Sequence, residues 1–147
     1  MLHAIYEPKI IDSLHRISPD IESNILAGTF VMKDPQGTVG DELIPSDGTD
    51  YWGILAQDVY LNPGPTFALP HLNFQAYSGD QVGVYTTAGY FKTDRYVEGG
   101  DYDPGAELYI SEDGILTDDA PDNDPVSVGR VVRMDSDGLL VFYFRGL

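Results

Sequence analysis

The C-terminal half of the chain alternates apolar and polar positions as short β-strands do. In the run AELYIS every second residue from Ala106 to Ile110 is apolar, so these side chains share one face of a strand. The pair Asp113-Gly114 follows, and both residue types tolerate the positive φ angles of a tight turn. We therefore predict a hairpin between residues 105 and 117.

A second hairpin is predicted at the C-terminus. The runs VSVGRVVRM and LLVFYFRG flank the turn sequence DSDG, which pairs Met134 with Leu139. The apolar phase slips from Val126 and Val128 to Val131, and an extra residue in a strand causes such a slip. We therefore predict a β-bulge at Gly129.

The last strand is apolar on both of its faces. Leu140, Phe142 and Phe144 share one face, and Leu139, Val141 and Tyr143 share the other. Either both faces are covered within the domain or one face meets another subunit, and we favour the second for so small a chain. Three residues are accordingly predicted to lie at an interface: Phe142, Tyr143 and Phe144.

The middle of the chain is also predicted to form strands and turns. ILAGTFVMKD reads as a strand followed by the turn DPQG, and QVGVYTTAGYFKTDRYV as a hairpin turning at 87–89. YWGILAQDVYL is apolar on both faces, which indicates burial or an interface and makes Trp52 and Tyr60 interface candidates. Turns every 8 to 12 residues predict an all-β fold, a small β-barrel or sandwich over 25–147.

Residues 1–24 differ from the rest of the chain. Ile10, Ile11, Leu14 and Ile17 recur at helix-like spacing, but over only about two turns. So short a helix needs something to pack on. We predict an N-terminal arm whose apolar residues contact a neighbouring molecule or the chain's own domain, and a peripheral segment on its own barrel remains an equal alternative.

Composition narrows the classes of partner. The chain has 147 residues, 24 acids, 8 bases and a net charge of −16, a balance that repels phosphate backbones and argues against nucleic-acid binding. Simple solubility would also explain the acidity. No apolar run reaches the roughly 18 residues of a membrane span, and the N-terminus lacks a signal peptide, so we expect no membrane partner.

The candidate chemical motifs do not assemble into a site in the sequence. DSDG resembles the start of a calcium loop but lacks the later ligands and the closing glutamate, and the acidic loop DAPDND is not by itself a coordination shell. His3, His15 and His71 are not spaced as metal ligands, and no nucleophile elbow or phosphate-binding loop occurs. We expect no catalytic site, metal or cofactor. Trp52 and the tyrosines leave open a sugar-stacking site.

The hairpin sequences resemble a known family. The run EGGDYDPGAELYISEDGILT, continued by VSVGRVVRMDSDGLLVFY, is similar to the C-terminal half of the small β-barrel capsid decoration (cement) proteins of tailed phages, and ILAGTFVMKD looks like their opening strand. The matching residues are turn and core positions: Gly105, Leu108, Tyr109, Gly114, Leu116, Thr117, Gly129 and Val131.

The resemblance implies a virion structural protein without enzymatic activity. Such a protein is made in the host cytoplasm, binds the outer capsid surface through the major capsid protein, and associates with itself as a trimer. A carbohydrate-binding module or another tail or baseplate β-module is the alternative, because such modules have similar turns. The Pro-rich middle and the N-terminal arm depart from the family pattern and leave the mode of capsid contact open.

Overall fold

A computed structural model describes residues 1–4, 11–12, 15–37, 42–61, 76–121 and 125–147 of the chain, with only the backbone for 11–12. Within these ranges the regular structure consists of β-strands, and none of the described residues is helical. The predicted all-β class is therefore confirmed. The curled sheets described below are consistent with a small β-barrel or sandwich.

Fourteen short strands are present in the described ranges. The first seven are β1 (Leu2–Ala4), β2 (Ile11–Asp12), β3 (Arg16–Ile17), β4 (Phe30–Lys33), β5 (Glu42–Pro45), β6 (Gly53–Leu55) and β7 (Val59–Tyr60). The other seven are β8 (Ala76–Tyr77), β9 (Val84–Tyr85), β10 (Gly89–Thr93), β11 (Glu107–Ile110), β12 (Leu116–Thr117), β13 (Gly129–Met134) and β14 (Leu140–Phe144).

The first sheet contains most of the C-terminal half. Its strand order is β1-β10-β14-β13-β11-β12, and every neighbouring pair is antiparallel. The sheet curls until β12 reaches the segment after β10, where the Val97 N–H donates to the Leu116 carbonyl at 2.8 Å. This contact covers the free edge of β12, which would otherwise present unpaired backbone groups.

The second sheet has the order β2-β9-β6-β4-β5-β3 and curls in the same way. Its edge strand β3 pairs in parallel with β5 and hydrogen-bonds on its other side to the residues that lead into β9. There the Ile17 N–H donates to the Asp80 carbonyl at 3.1 Å, and the Gly79 N–H donates to the Ile17 carbonyl at 2.8 Å. β7 and β8 form a separate parallel ribbon.

The first core lies between the two sheets. Phe30 and Ile54 of the second sheet pack among residues of the first, and Phe144 lies 5.7 Å from Phe30 between ring centroids. The first core consists of Phe30, Ile54, Phe91, Tyr102, Leu108, Ile110, Leu116, Val128, Val131, Leu140, Phe142 and Phe144.

The second core lies against the opposite face of the second sheet. It consists of Ile17, Ile25, Val31, Leu43, Leu55, Val59, Ala76, Val82 and Val84. The second sheet is therefore buried on both faces, which explains why β4 and β6 lack polar alternation. Residues 51–61 do not form one long strand but divide into β6 and β7, which belong to different sheets.

Both C-terminal hairpins form, with one correction to register. β11 pairs with β12 across the Asp113-Gly114 turn as predicted, but Met134 pairs with Leu140 rather than Leu139, because the Asp135 N–H donates to the Leu139 carbonyl and closes the turn. The bulge predicted at Gly129 is wrong, since the register shifts between residues 131 and 133.

Gly129 is required for a different reason. It pairs regularly with Phe144, and a Cβ added there would lie 1.9 Å from the Tyr143 carbonyl oxygen. The glycine thus permits close approach of β13 to β14.

The hairpin predicted for residues 81–97 is also wrong. β9 belongs to the second sheet and β10 to the first, so the turn at 86–88 carries the chain between sheets instead of pairing two strands. The turn position itself is close to the predicted one. Local sequence located the reversal, whereas the packing of the two sheets decided which partners the flanking strands take.

The three strands within residues 1–24 belong to the two sheets. β1 pairs with β10, β3 pairs with β5, and Ile17 is fully buried in the second core. The helix-like spacing of the isoleucines therefore does not correspond to a helix at 11–12 or 15–17. The boundary drawn at residue 24 does not coincide with a break in either sheet.

Candidate interaction surface

The residues predicted to form an interface do not come together on one surface. Ile17, Phe142 and Phe144 are buried in the cores of the chain itself, so in this conformation they offer no contact area to a second molecule. Leu140 is buried as well, so the face of the last strand that carries Leu140, Phe142 and Phe144 is covered within the domain, which corrects the interface prediction for Phe142 and Phe144; Tyr143 on the other face is partly exposed.

The other predicted interface residues lie on separate elements or outside the described ranges. Trp52 precedes β6, Tyr60 lies on the β7–β8 ribbon, and Tyr143 lies on β14; all three are partly exposed. Ile10 and Leu14 lie outside the described residues, as does the side chain of Ile11. Tyr143 is therefore the only described member of the predicted set on the outside of the first sheet.

Trp52 is not an open stacking platform. The Lys33 ammonium lies 4.2 Å from the centroid of the indole ring, and the His15 ring centroid is 4.9 Å away. A sugar that stacked on this ring would have to displace one of these neighbours. The aromatic side chain is better described as the cover of the second core, which it packs against.

The outer face of the first sheet carries two rows of side chains across its strands. The first row follows the pairing of Tyr90, Tyr143, Arg130 and Glu107 on β10, β14, β13 and β11. Because side chains alternate along a strand, these residues point away from the core that holds Phe91 and Phe144. Tyr90 is 40% exposed, and its ring centroid lies 5.2 Å from that of Tyr143.

The second row runs parallel to the first. It follows the pairing of His3, Lys92, Val141 and Arg133 on β1, β10, β14 and β13. Val141 is buried, and its cross-strand neighbours Lys92 and Arg133 carry long side chains whose apolar stems can cover such a residue. We call the two rows together the outer face.

Glu107 organises one end of the outer face. Its carboxylate lies 2.9 Å from an Arg130 nitrogen and 2.8 Å from an Arg145 nitrogen, and it also accepts a hydrogen bond from the Ser127 hydroxyl. The Ser127 hydrogen bond, helped by the two guanidinium groups, lowers the pKa of Glu107. The cluster therefore brings two arginines, from β13 and from the C-terminal segment, together around one carboxylate.

Lys92 organises the other end. Its ammonium lies 2.7 Å from Asp135 and 2.9 Å from Asp137, both in the last hairpin turn, and Asp135 also bonds Arg133 at 2.7 Å. The hydrogen bonds from Asp135 and Asp137 raise the pKa of Lys92, and the Lys92 hydrogen bond lowers the pKa of each aspartate.

The outer face is electrostatically unlike the rest of the chain. Four of the eight bases lie on it or at its border, namely Lys92, Arg130, Arg133 and Arg145, opposite three acids, Glu107, Asp135 and Asp137. In a chain of net charge −16 this is a nearly neutral patch with two tyrosines inside it. It can approach another surface without the repulsion that the rest of the chain would produce.

The described residues contain no group of three or more His, Asp or Glu side chains that could hold a metal ion. Within the same part of the chain, no helix is long and apolar enough to span a membrane. His3 lies on β1 and His15 packs on Trp52, while His71 lies outside the described residues.

Sequence reasoning missed Tyr90, Lys92 and the Arg130–Glu107 pair as parts of one surface. Alternation within β10 and β13 points these residues outward, but only the pairing of β10 with β14 places them in common rows. No protein-family model, curated protein or solved structure matches this chain.

Proposed function

We propose that this protein is a structural component of a tailed-phage particle that binds the outer surface of the assembled head and stabilises it. The residues that carry the family resemblance support this proposal by their positions. Leu108 and Leu116 are buried on adjacent strands of one hairpin, and Gly129 and Val131 lie on the strand that follows. They form one continuous part of the first sheet, as a shared structural plan requires.

The observation that carries the proposal is the outer face. A decoration protein holds a lattice through an extended surface, and the outer face offers two adjacent rows across four strands. Tyr90 and Tyr143 supply large amphipathic rings, which are enriched at protein interfaces. The ion pairs around Glu107 and Lys92 hold the neighbouring side chains before binding, so less conformational entropy is lost on contact.

The charge of the chain fits an exterior position. A net charge of −16 would be repelled by packed DNA inside a head, whereas the outside of the shell imposes no such cost. The nearly neutral outer face then marks the side that meets the shell. The remaining acidic surface faces solvent and keeps decorated particles apart.

Stabilisation follows from mass action. A protein that binds the assembled lattice but not separated subunits lowers the free energy of the lattice by its binding free energy. As the family resemblance implies, we propose that the major capsid protein is the partner and that three copies associate on the shell. Linked contacts at fixed spacing would then strengthen one another through effective concentration. The protein performs no catalytic step in this role.

Heat-induced genome release tests the function. Heads stripped of the protein should release DNA at a lower temperature than decorated heads, and adding the purified chain should restore the higher temperature. A Tyr90→Ser/Tyr143→Ser variant should bind heads more weakly, by about tenfold or more, since hot-spot aromatics dominate interface energies. Tyr60→Ser, which alters a partly exposed tyrosine on the β7–β8 ribbon, is the matched control.

Three results would each contradict a part of the proposal. Equal release temperatures at saturating occupancy would show that bound protein does not stabilise the shell. Saturable binding to glycans, together with no binding to heads, would instead support the carbohydrate-binding alternative. If the Tyr60 control weakened head binding as much as the double variant, the outer face would not be the contact surface.

A further inference from the structure

The structure contains a cleft of about 920 Å³ at one end of the first sheet, within the range of roughly 300–1,000 Å³ that is usual for ligand-binding clefts. Its walls are the loop 47–51, the tip of the β11–β12 hairpin at 110–113 and the segment 117–121, with Val97, Val126 and Val128 between them. We call it the acidic cleft. It is separate from the rows of the outer face, none of whose residues line it.

The apolar part of the acidic cleft is open to solvent. Val126 is 66% exposed and Val97 is 36% exposed, and both line the cleft above the buried Ile110 and Val128. They are two of the few large apolar side chains that are exposed in the described residues. An exposed apolar strip within a concave surface is typical of a binding site.

The rim of the acidic cleft carries charge of one sign. No lysine or arginine is among the described residues that line it. Five carboxylates do line it: Asp47, Asp50, Glu112, Asp113 and Asp119. The Asp47 and Asp50 carboxylates accept hydrogen bonds from the loop backbone at Thr49 and Tyr51. The other three carboxylates make no ion pair within the described ranges.

The two main walls are held at a fixed distance. Gly48 has a φ of +91°, and a Cβ at this position would lie 2.9 Å from the Ile110 carbonyl oxygen. The Ser46 hydroxyl donates to the Asp50 carbonyl at 2.5 Å, which closes the loop on itself. The loop therefore lies directly against the hairpin, and the acidic cleft is formed before any ligand binds.

We propose that the acidic cleft binds an extended peptide segment of a partner protein in which lysine or arginine side chains flank an aliphatic one. Alternate residues of an extended chain point to opposite sides, so aliphatic side chains can face Val97 and Val126 while basic ones reach the rim. Charge complementarity selects this occupant, because five carboxylates repel acidic peptides and nucleic acids. The inference stands independently of the proposed shell binding.

Blocked pentapeptides added to the full chain test the proposal. Lys-Val-Lys-Val-Lys should perturb the amide signals of residues around Val97, Val126 and Glu112 in a saturable NMR titration. Ser-Val-Ser-Val-Ser and Lys-Ser-Lys-Ser-Lys should each bind about tenfold more weakly or worse, since each lacks one half of the recognition. Added salt should weaken the binding of the first peptide, because the rim is exposed and screened.

Two pairs of variants separate the two halves of the recognition. The double variant Glu112→Gln/Asp113→Asn should reduce affinity for Lys-Val-Lys-Val-Lys about fivefold or more. Its control is Asp20→Asn/Glu22→Gln, which removes the same charge from exposed positions elsewhere and should leave affinity nearly unchanged. Val126→Ser should also weaken binding, and Leu147→Ser is its control, since Leu147 is 65% exposed and lies outside the acidic cleft. Far-ultraviolet circular dichroism checks that each variant is folded.

Several outcomes would overturn the proposal. Equal binding of the serine-containing peptides, equal losses in the control variants, or signal changes away from the acidic cleft would each exclude specific recognition of a basic segment. Displacement of the peptide by millimolar calcium with direct calcium binding would identify a cation site instead. Perturbation of the same signals by dilution alone would identify a second copy of the chain as the occupant.

Discussion

Phe30 and Gly114 join the two sheets through their backbones. The Phe30 N–H donates to the Gly114 carbonyl at 2.8 Å, and the Phe30 carbonyl in turn accepts a hydrogen bond from the Ser46 N–H at 2.8 Å. Gly114 has a φ of +78°, and a Cβ there would lie 3.0 Å from the Phe30 carbonyl oxygen. The turn of the β11–β12 hairpin is thus also a docking point for β4 of the other sheet.

Gly114→Ala should destabilise the protein in two ways. The left-handed backbone costs about 1–2 kcal/mol for a residue with a Cβ, and the short contact to Phe30 adds to that cost. Gly138→Ala is the control, because Gly138 has a φ of +80° but no heavy atom within 4 Å of an added Cβ. Urea unfolding of both variants measures the difference, and equal losses would show that the Phe30 contact adds no cost.

Phe144→Ala should lower the free energy of unfolding by about 3–5 kcal/mol, the usual cost of truncating a buried phenylalanine. Phe144 is fully buried and its ring neighbours are Phe30, Tyr51 and Phe91. Tyr143→Ala, which truncates the adjacent outward residue, should cost much less. A Phe144→Ala variant with native stability and altered self-association would instead support the original interface prediction.

Glu107→Gln should lower the melting temperature at neutral pH, and this difference should disappear in acid. The hydrogen bond from Ser127 and the charges of the nearby arginines lower the folded-state pKa of Glu107 below its value in the unfolded chain. The Glu107 carboxylate therefore stabilises the folded protein above its unfolded-state pKa, and this stabilisation is lost as the pH falls through its folded-state pKa. Thermal unfolding of both proteins from pH 7 to pH 2 measures it.

The control for net charge in this pH series is Glu22→Gln, which removes an exposed acid outside the Glu107 cluster. A Glu107→Gln difference that stayed constant down to the lowest pH would mean that the carboxylate charge is not what stabilises the cluster.

Removing residues 1–20 should destabilise the second sheet. The deletion removes β3 and the fully buried Ile17, and it exposes Leu43 on the neighbouring strand β5. Ile17→Ala alone should cost about 2–5 kcal/mol. Deleting residues 1–4, which removes only β1 from the edge of the first sheet, should cost less. If the chain lacking residues 1–20 unfolded at the same denaturant concentration as the intact chain, the segment would be a separable arm.

The local features of the fold follow from neighbouring residues in the sequence. Alternation in AELYIS and the Asp-Gly pair specify the β11–β12 hairpin, because side-chain direction and turn conformation depend on adjacent residues. The turn at DSDG is predicted for the same reason, and the predicted partner of Met134 differs from the observed partner by one residue. The all-β class follows from such signals repeated along the chain.

Strand pairing and the covering of strand faces depend on contacts between distant parts of the chain. The segment 81–97 contains a turn, yet β9 and β10 enter different sheets because each strand finds its partners far away in sequence. The isoleucine spacing before residue 18 is compatible with a helix or with strands, and long-range pairing with β5 and β9 selected strands. An apolar strand face likewise has the same sequence whether its own core or another molecule covers it. Phe142 and Phe144 are in the core because the curled first sheet closes over the aromatic side chains of the second. The outer face and the acidic cleft arise in the same way, since each combines residues that only this packing brings together.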